Sequence, residues 1–114
     1  MDTKTAKLLS IYVGESAKYK LRPFYEAIVY AAKRFNLSEA MVVRGIMAFG
    51  PDDGYIHTAK LFSLSEDLPI KIEIIDVAEK IEAFAHIVEK MFEKSNITGL
   101  VTLQEITIKH YLKQ

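Results

Sequence analysis

Residues 70–92 read IKIEIIDVAEKIEAFAHIVEKMF, an alternating stretch that runs directly into a helical pattern. Over residues 70–76, isoleucines surround charged residues, which is typical of a β-strand with a buried face. From Val77 the apolar residues recur every three or four positions, which predicts an amphipathic helix. Asp76 followed by Glu79 resembles a capping box, so we expect Asp76 to cap this helix rather than to act as a catalytic acid.

The first third of the chain repeats this order of strand and helix. Residues 6–13 are apolar on both alternating faces, which predicts a central strand. Pro23 suits the first turn of a helix, and Asn36 is a plausible left-handed residue at its end. The polar stretch between Gly14 and Leu21 is predicted to be a loop.

Two more strands complete the pattern. Residues 40–49 are rich in β-formers, interrupted at Arg44-Gly45, and residues 100–108 form the last strand. Residues 50–54 are dense in turn formers, and residues 56–64 alternate like a return strand or an extended loop.

The resulting order is βαββαβ. We therefore predict one α+β domain over residues 1–114, a ferredoxin-like sandwich whose antiparallel sheet carries both helices on one face. A loop or strand excursion at about residues 50–68 interrupts this domain. Leu8, Tyr12, Ile74 or their neighbours are expected to leave an apolar patch on the other face, and burial between subunits is the simplest way to cover it.

Composition excludes several classes of function. The 114 residues contain 15 Lys and Arg against 15 Asp and Glu, so no overall positive charge favours nucleic acid. There is no cysteine for a disulfide, thiolate site or nucleophile. No segment is long and apolar enough for a signal peptide or membrane insertion. A cytoplasmic globular protein is expected.

Few side chains point to chemistry. The histidines are too widely spaced for a local metal motif, and His86 lies on the polar side of its helix, so no metal is predicted. His57 is either a loop histidine or a ligand contact. Glu15 and Asp76 both lie at strand ends, where they could approach each other, but acid–base catalysis is unsupported.

Arg44 and the nearby glycines leave two interpretations open. Arg44 in a strand predicts either an ion pair with Glu or Asp, or a ligand for phosphate or carboxylate. Gly45, Gly50 and Gly54 favour a turn, although they would also let the backbone approach a phosphate.

A further pattern lies in short blocks spread over almost the whole chain. The blocks are Leu9-Ser10-Ile11-Tyr12-Val13-Gly14-Glu15, Val43-Arg44-Gly45-Ile46, Phe49-Gly50, Ile56-His57-Thr58-Ala59, Leu64-Ser65-Glu66-Asp67-Leu68-Pro69, Glu73-Ile74-Ile75-Asp76 and Gly99-Leu100-Val101-Thr102-Leu103. Together they resemble a small bacterial and archaeal family of uncharacterised PII-like proteins. More distantly, the blocks from Phe49 to Ile74 are similar to nitrogen-regulatory PII signalling proteins.

This resemblance implies a non-enzymatic regulator that forms a homotrimer with the sheets facing inward. It also implies an adenine nucleotide in each cleft between subunits and an unknown target protein engaged by residues 50–68. On this interpretation Gly50 and its neighbours offer backbone donors, Arg44 or Lys109 supplies charge, and residues near Ile74 and Leu100 pack on the base. The nucleotide-binding residues implied are Arg44, Gly45, Ala48, Phe49, Gly50, His57, Thr58, Ile74, Gly99, Leu100 and Lys109.

The sequence also departs from PII proteins. Ala48 replaces a glycine, Ser95-Asn96-Ile97-Thr98-Gly99-Leu100 replaces a loop with a phosphate-binding lysine, and the C-terminal arginines have no match. Less positive charge favours ADP or AMP over ATP. Two rival interpretations are a trimeric scaffold or metal-responsive protein without a nucleotide, and an acylphosphatase-like hydrolase, where Glu15 would repel the anionic substrate.

Overall fold

The computed structural model describes residues 5–49, 57–58 and 68–110. Its elements are β1 (Ala6–Gly14), β2 (Lys18–Tyr19), β3 (Arg22–Pro23), α1 (Phe24–Arg34), β4 (Ala40–Arg44), β5 (Met47–Ala48), β6 (His57–Thr58), β7 (Pro69–Val77), α2 (Ala78–Ser95) and β8 (Gly99–Ile106). The two long helices and four long strands confirm the predicted alternation. Within these ranges no helix has the length and hydropathy that a membrane span requires.

The four long strands form one sheet in the order β4-β7-β1-β8, with every neighbouring pair antiparallel. Both helices pack on the same face of this sheet, which confirms the predicted ferredoxin-like α+β sandwich. The central strands β1 and β7 pair over nine residues, from Ala6 opposite Val77 to Gly14 opposite Pro69.

The hydrophobic core lies between the sheet and the helices. It takes alternate residues of β1 and β7, because successive side chains of a strand point to opposite faces. Aromatic contacts join the helices to their surroundings, with ring centroids 4.7 Å apart for Phe24 and Phe92 and 5.6 Å apart for Phe35 and Phe84. The core residues with less than 2 % exposure are Phe24, Phe84, Leu9, Ile11, Ile28, Leu68, Ile72, Ile74, Ile81 and Val88.

Both helices end at an asparagine in the left-handed conformation. Asn36 follows α1 with φ of 64°, as predicted, and Asn96 follows α2 with φ of 53°. Asparagine tolerates this conformation better than most residues, so it stops a helix without glycine.

The predicted role of Asp76 as the helix cap is wrong. Val77 occupies the N-cap position of α2 and makes no side-chain cap. The buried Asp76 carboxylate instead accepts hydrogen bonds from the backbone N–H of Ser38, at 2.8 Å, and of Val77, at 2.7 Å. It therefore ties the loop between α1 and β4 to the start of α2. Asp76 also lies at the end of the sheet opposite Glu15, so the expected approach of these two carboxylates does not occur.

Three local predictions need correction. Residues 40–49 form two strands rather than one, because the chain breaks at Gly45 and Ile46. The predicted loop before α1 contains the small antiparallel hairpin β2–β3, with Tyr19 opposite Arg22. The predicted last strand ends at Ile106 rather than at residue 108.

The face of the sheet without helices is mixed rather than wholly apolar. Ile74, expected there, lies on the helix face and is fully buried, and its neighbour Ile75 faces the other way. One row across the open face consists of Val43, Lys71, Tyr12 and Leu100. Lys71 forms a 3.2 Å ion pair with Glu73, and its ammonium lies 5.5 Å from the centre of the Tyr12 ring.

Candidate functional site

Several of the predicted site residues lie at the same end of the sheet, where β1 and β4 end and β7 and β8 begin. Arg44 pairs with Ile70, Ile70 with Val13, and Val13 with Gly99, so these four residues form one row. Arg44 and Gly99 occupy the two opposite edge strands of that row. Three strand spacings of about 4.8 Å place their backbones about 14 Å apart.

Arg44 forms an ion pair with Glu15 of the same chain, which corresponds to the ion-pair alternative of the prediction. Its Nε donates to Glu15 Oε1 at 3.1 Å, and its terminal Nη2 lies 3.1 Å from the same oxygen. The backbone of Glu15 is fixed by a 2.9 Å hydrogen bond from its N–H to the Leu68 carbonyl. The Arg44 side chain is still 56 % exposed, so its guanidinium remains accessible to an anion.

Gly45 and Gly99 are required by packing within the chain. The Gly45 N–H donates to the Pro69 carbonyl at 2.8 Å, and a Cβ at Gly45 would lie 2.6 Å from Pro69 Cγ. A Cβ at Gly99 would lie 2.4 Å from Phe92 Cε1. Real Cβ atoms do not approach other heavy atoms this closely, so a packing role accounts for both glycines without a ligand.

The hairpin β5–β6 continues from this end of the sheet. Met47 pairs with Thr58 and Ala48 pairs with His57, which bears out the return strand at these two positions. Phe49 follows Ala48 and is 73 % exposed. Gly50, Gly54 and most of the predicted excursion at 50–68 lie outside the described residues.

The remaining predicted residues are spread apart. Leu100 lies on the open face beside Tyr12 and is more than half exposed. Ile74 has no exposed side-chain surface, so the predicted contact of Ile74 itself with a base has no support in this chain. Lys109 lies beyond the far end of β8, more than about 20 Å along the strand from Gly99. One chain therefore does not bring Lys109 to the Arg44 end of the sheet.

Two cavities lie elsewhere, both lined by residues of the hairpin β2–β3. None of the eleven predicted site residues lines either of them. Among the residues in the described ranges, no cluster of three His, Asp or Glu side chains could hold a metal ion. Sequence analysis missed Glu15 as the partner of Arg44, although its place directly after β1 was a usable signal.

Asp76 is a buried ionisable group whose surroundings shift its pKa. Burial alone would raise the pKa of its carboxyl, but hydrogen bonds from Val77 and Ser38 and the charge of Lys80 together lower it. Asp76 therefore stays ionised as an internal tether, far from Arg44, and takes no part in a site at that end of the sheet.

Comparison with known proteins places this geometry in context. The model of the family DUF190, described as "Uncharacterized ACR", matches residues 6–108. A "UPF0166 protein" of Aquifex aeolicus (strain VF5) is 37 % identical over 102 residues, covering 90 % of this chain and 91 % of the relative. A UPF0166 protein of Methanocaldococcus jannaschii is 31 % identical over 100 residues, with 88 % of each chain covered.

Among solved structures, the chain resembles CPII from Thiomonas intermedia K12, a nitrogen regulatory PII-like protein bound to ADP, AMP and bicarbonate. The TM-score is 0.69 at 16 % identity, and the match covers 96 % of this chain and 92 % of CPII. At this identity the likeness demonstrates a shared fold. It confirms the PII-like fold that the sequence blocks implied.

Proposed function

The chain belongs to the DUF190 family, and on that premise we propose that it is a cytoplasmic, non-enzymatic regulator that binds an adenine nucleotide between subunits of a homotrimer. ADP or AMP is the ligand, and binding alters residues 50–68, through which the trimer acts on a target protein.

The observation that carries this proposal is the position of Arg44 and Leu100 on opposite edge strands of one sheet. Their backbones lie about 14 Å apart with two strands between them, so in one chain they line different edges. Two copies placed side by side bring the β4 edge of one next to the β8 edge of the other. Gly99 and Lys109 lie more than about 20 Å apart along β8, so the β8 edge of a second copy that brings Leu100 to Arg44 leaves Lys109 outside the site.

Exposed apolar side chains near the Arg44 edge support contact between copies. Ile46 and Phe49 are 77 % and 73 % exposed, and Met47 lies between them with most of its surface accessible. On the open face, Met41, Val43 and Leu100 are also exposed. Apolar surface of this extent along one edge is typical of a protein–protein interface rather than of a monomer.

The exposed side chains proposed for this site favour a nucleotide with few phosphates. Arg44 offers one accessible guanidinium, which binds phosphate through charged, directional hydrogen bonds. Exposed Phe49 and Leu100 supply apolar surface for a base. CPII, which shares the fold, was solved with ADP and AMP.

Calorimetric titration of the purified protein with ADP, AMP and ATP tests the proposal. We expect heat of binding for ADP and AMP, with weaker binding of ATP. Arg44→Gln removes the charged phosphate contact and weakens ADP binding about tenfold. Lys33→Gln removes a charge from an exposed position on α1 and serves as the matched control, with unchanged affinity.

The substitution Glu15→Gln is expected to strengthen ADP binding, whereas Arg44→Gln weakens it. In the wild-type protein Glu15 competes with the nucleotide for Arg44, and an exposed ion pair is worth at most about 1 kcal/mol. Its removal should therefore tighten ADP binding about two- to fivefold. Absence of heat and of any thermal shift with millimolar ADP and AMP would remove the nucleotide from the proposal.

A further inference from the structure

The hairpin β2–β3 and the two helices line an open cavity of about 580 Å³. This volume lies within the range of about 300–1,000 Å³ that small organic ligands occupy. Its lining consists of Tyr19, Lys20, Leu21, Arg22, Ala27, Ala31, Arg34, Ile87 and Met91. All of these residues come from one chain and lie outside the nucleotide-binding set.

The floor of this hairpin cavity is apolar. Ala27 and Ala31 of α1 face Ile87 and Met91 of α2, and the small alanine side chains leave the space between the helices unfilled. Leu21 stands at the hairpin tip with its side chain fully exposed. An apolar ligand group on this floor would bury hydrophobic surface that water otherwise covers.

The rim of the hairpin cavity is cationic. Lys20, Arg22 and Arg34 line it, and no carboxylate does. A second cavity of about 430 Å³, beside the same hairpin, adds Lys18 and Lys94, again without a carboxylate. Because acids and bases balance over the whole chain, this is a local segregation of positive charge. Within the part of the chain that the structure describes, none of these five cations forms an ion pair.

Two of these cations, Arg22 and Lys20, lie over aromatic rings. The Arg22 guanidinium lies 4.7 Å from the centre of the Tyr30 ring, and the Lys20 ammonium lies 5.7 Å from that of Tyr19. Lys20 also adopts a φ of 58°, because it is the first residue of the two-residue turn between Tyr19 and Arg22, where hairpins require a positive φ. The turn places Lys20 beside Arg22 in the lining of the cavity.

We infer that the hairpin cavity binds an amphiphilic organic anion, an alkyl chain carrying one carboxylate or phosphate group. The chain lies on Ala27, Ala31, Ile87 and Met91, and the anionic group is bound by Arg22, Arg34 and Lys20. The site is complete within one subunit, so it neither requires a trimer nor involves the residues proposed for the nucleotide.

The test uses dansyl-labelled undecanoic acid as the probe and the full-length protein, with binding followed by dansyl fluorescence. We expect saturable binding of the acid and at least about tenfold weaker binding of its uncharged methyl ester. The double variant R22Q/R34Q should lose about tenfold in affinity for the acid, whereas K33Q, on the same helix but outside the cavity, should not.

A second pair of variants tests the floor. Ala31→Phe fills the cavity and should abolish probe binding, while Ala83→Phe, at an exposed position of α2 outside the lining, should leave it intact. Equal affinities for acid and ester, or an unaffected R22Q/R34Q variant, would overturn the inference. Displacement of the probe by ADP would also contradict it, because the two sites would then be one.

A free amphiphile and an anionic lipid surface both present an anionic group next to alkyl chains. Co-sedimentation with phosphatidylglycerol vesicles separates these sources. We expect the protein to stay in the supernatant while it binds the free probe. Vesicle binding that R22Q/R34Q removes, without binding of the free probe, would overturn the cavity as a site for a free ligand.

Discussion

Asp76 holds together two segments that are far apart in sequence. Its carboxylate accepts the N–H groups of Ser38 and Val77 and is buried, so few water molecules can replace these donors. Asp76→Asn keeps the size of the side chain but turns an NH₂ group toward one of the donors. We expect a loss of about 1–3 kcal/mol in the free energy of unfolding, measured by urea denaturation at neutral pH.

The pKa of Asp76 also predicts how stability depends on pH. The folded protein lowers this pKa below its ordinary value of 3.8, so the stabilisation is present above that pH. It is lost as the pH falls through the folded-state pKa. The difference in unfolding free energy between wild type and D76N should therefore shrink below about pH 4. A difference that stayed constant down to pH 2 would contradict the assignment.

Gly99 shows a second constraint at the scale of one residue. Its missing side chain lets Phe92 of α2 and the Tyr12 carbonyl of β1 pack against the start of β8. Gly99→Ala forces one of these neighbours to move and should cost about 1–3 kcal/mol, as measured by thermal or urea unfolding. Thr102→Ala, at an exposed position of the same strand, serves as the control and should change stability little. Equal stability of G99A and wild type would show that Phe92 repacks freely.

The neighbours of Arg44 and Gly45 in the folded chain could not be predicted from the sequence. For Arg44, a ligand and an ion pair at an interface explained the residue equally well, whereas Gly45 and the nearby glycines favoured a turn. Only the three-dimensional structure shows that Glu15 and Pro69 are the neighbours. Such contacts join residues distant in sequence, and periodicity contains no information about them.

At the scale of elements, α2 ends at Asn96 in the left-handed conformation. Asn96→Ala should destabilise the protein by about 1 kcal/mol, because alanine adopts this conformation at a cost that asparagine partly avoids. Asn96→Gly should keep or raise stability, since glycine has no Cβ. Thermal unfolding of the two variants tests the cap, and equal midpoints for them would contradict it.

The long elements were predictable, whereas the hairpin β2–β3 was not. β1, α1, β7 and α2 have clear periods over nine or more residues, and the structure confirms each of them. β2 and β3 contain two residues each, too few for a period to be recognised. Their positions depend on tertiary packing, which is why the hairpin β2–β3 and its cavities were not foreseen.

At the scale of the whole molecule, the order of elements determined the sheet. A βαββαβ chain with both helices on one face has few permitted topologies, and the observed order β4-β7-β1-β8 is the ferredoxin-like one. The assignment of faces was less secure, because Ile74 and Ile75 are adjacent and a shift of one residue exchanges the two sides. The prediction named Ile74 or its neighbours for the open face, and it is the neighbour Ile75 that lies there.

The arrangement of the two edge strands gives the molecule its proposed role. One edge carries Arg44 with exposed apolar residues after it, and the other begins with Gly99 and Leu100. Neither of the two cavities beside the hairpin β2–β3 is lined by residues of these edges. Three copies arranged edge to edge would form three equivalent clefts, and each would contain residues from two chains.

Native mass spectrometry of the full-length protein with excess ADP measures assembly and ligand number together. We predict a species of three times 13.0 kDa that carries three ADP molecules, and fewer bound ADP molecules on an intact trimer of R44Q at the same ADP concentration. A single chain of 13.0 kDa, with or without ADP, would contradict the proposed site between subunits.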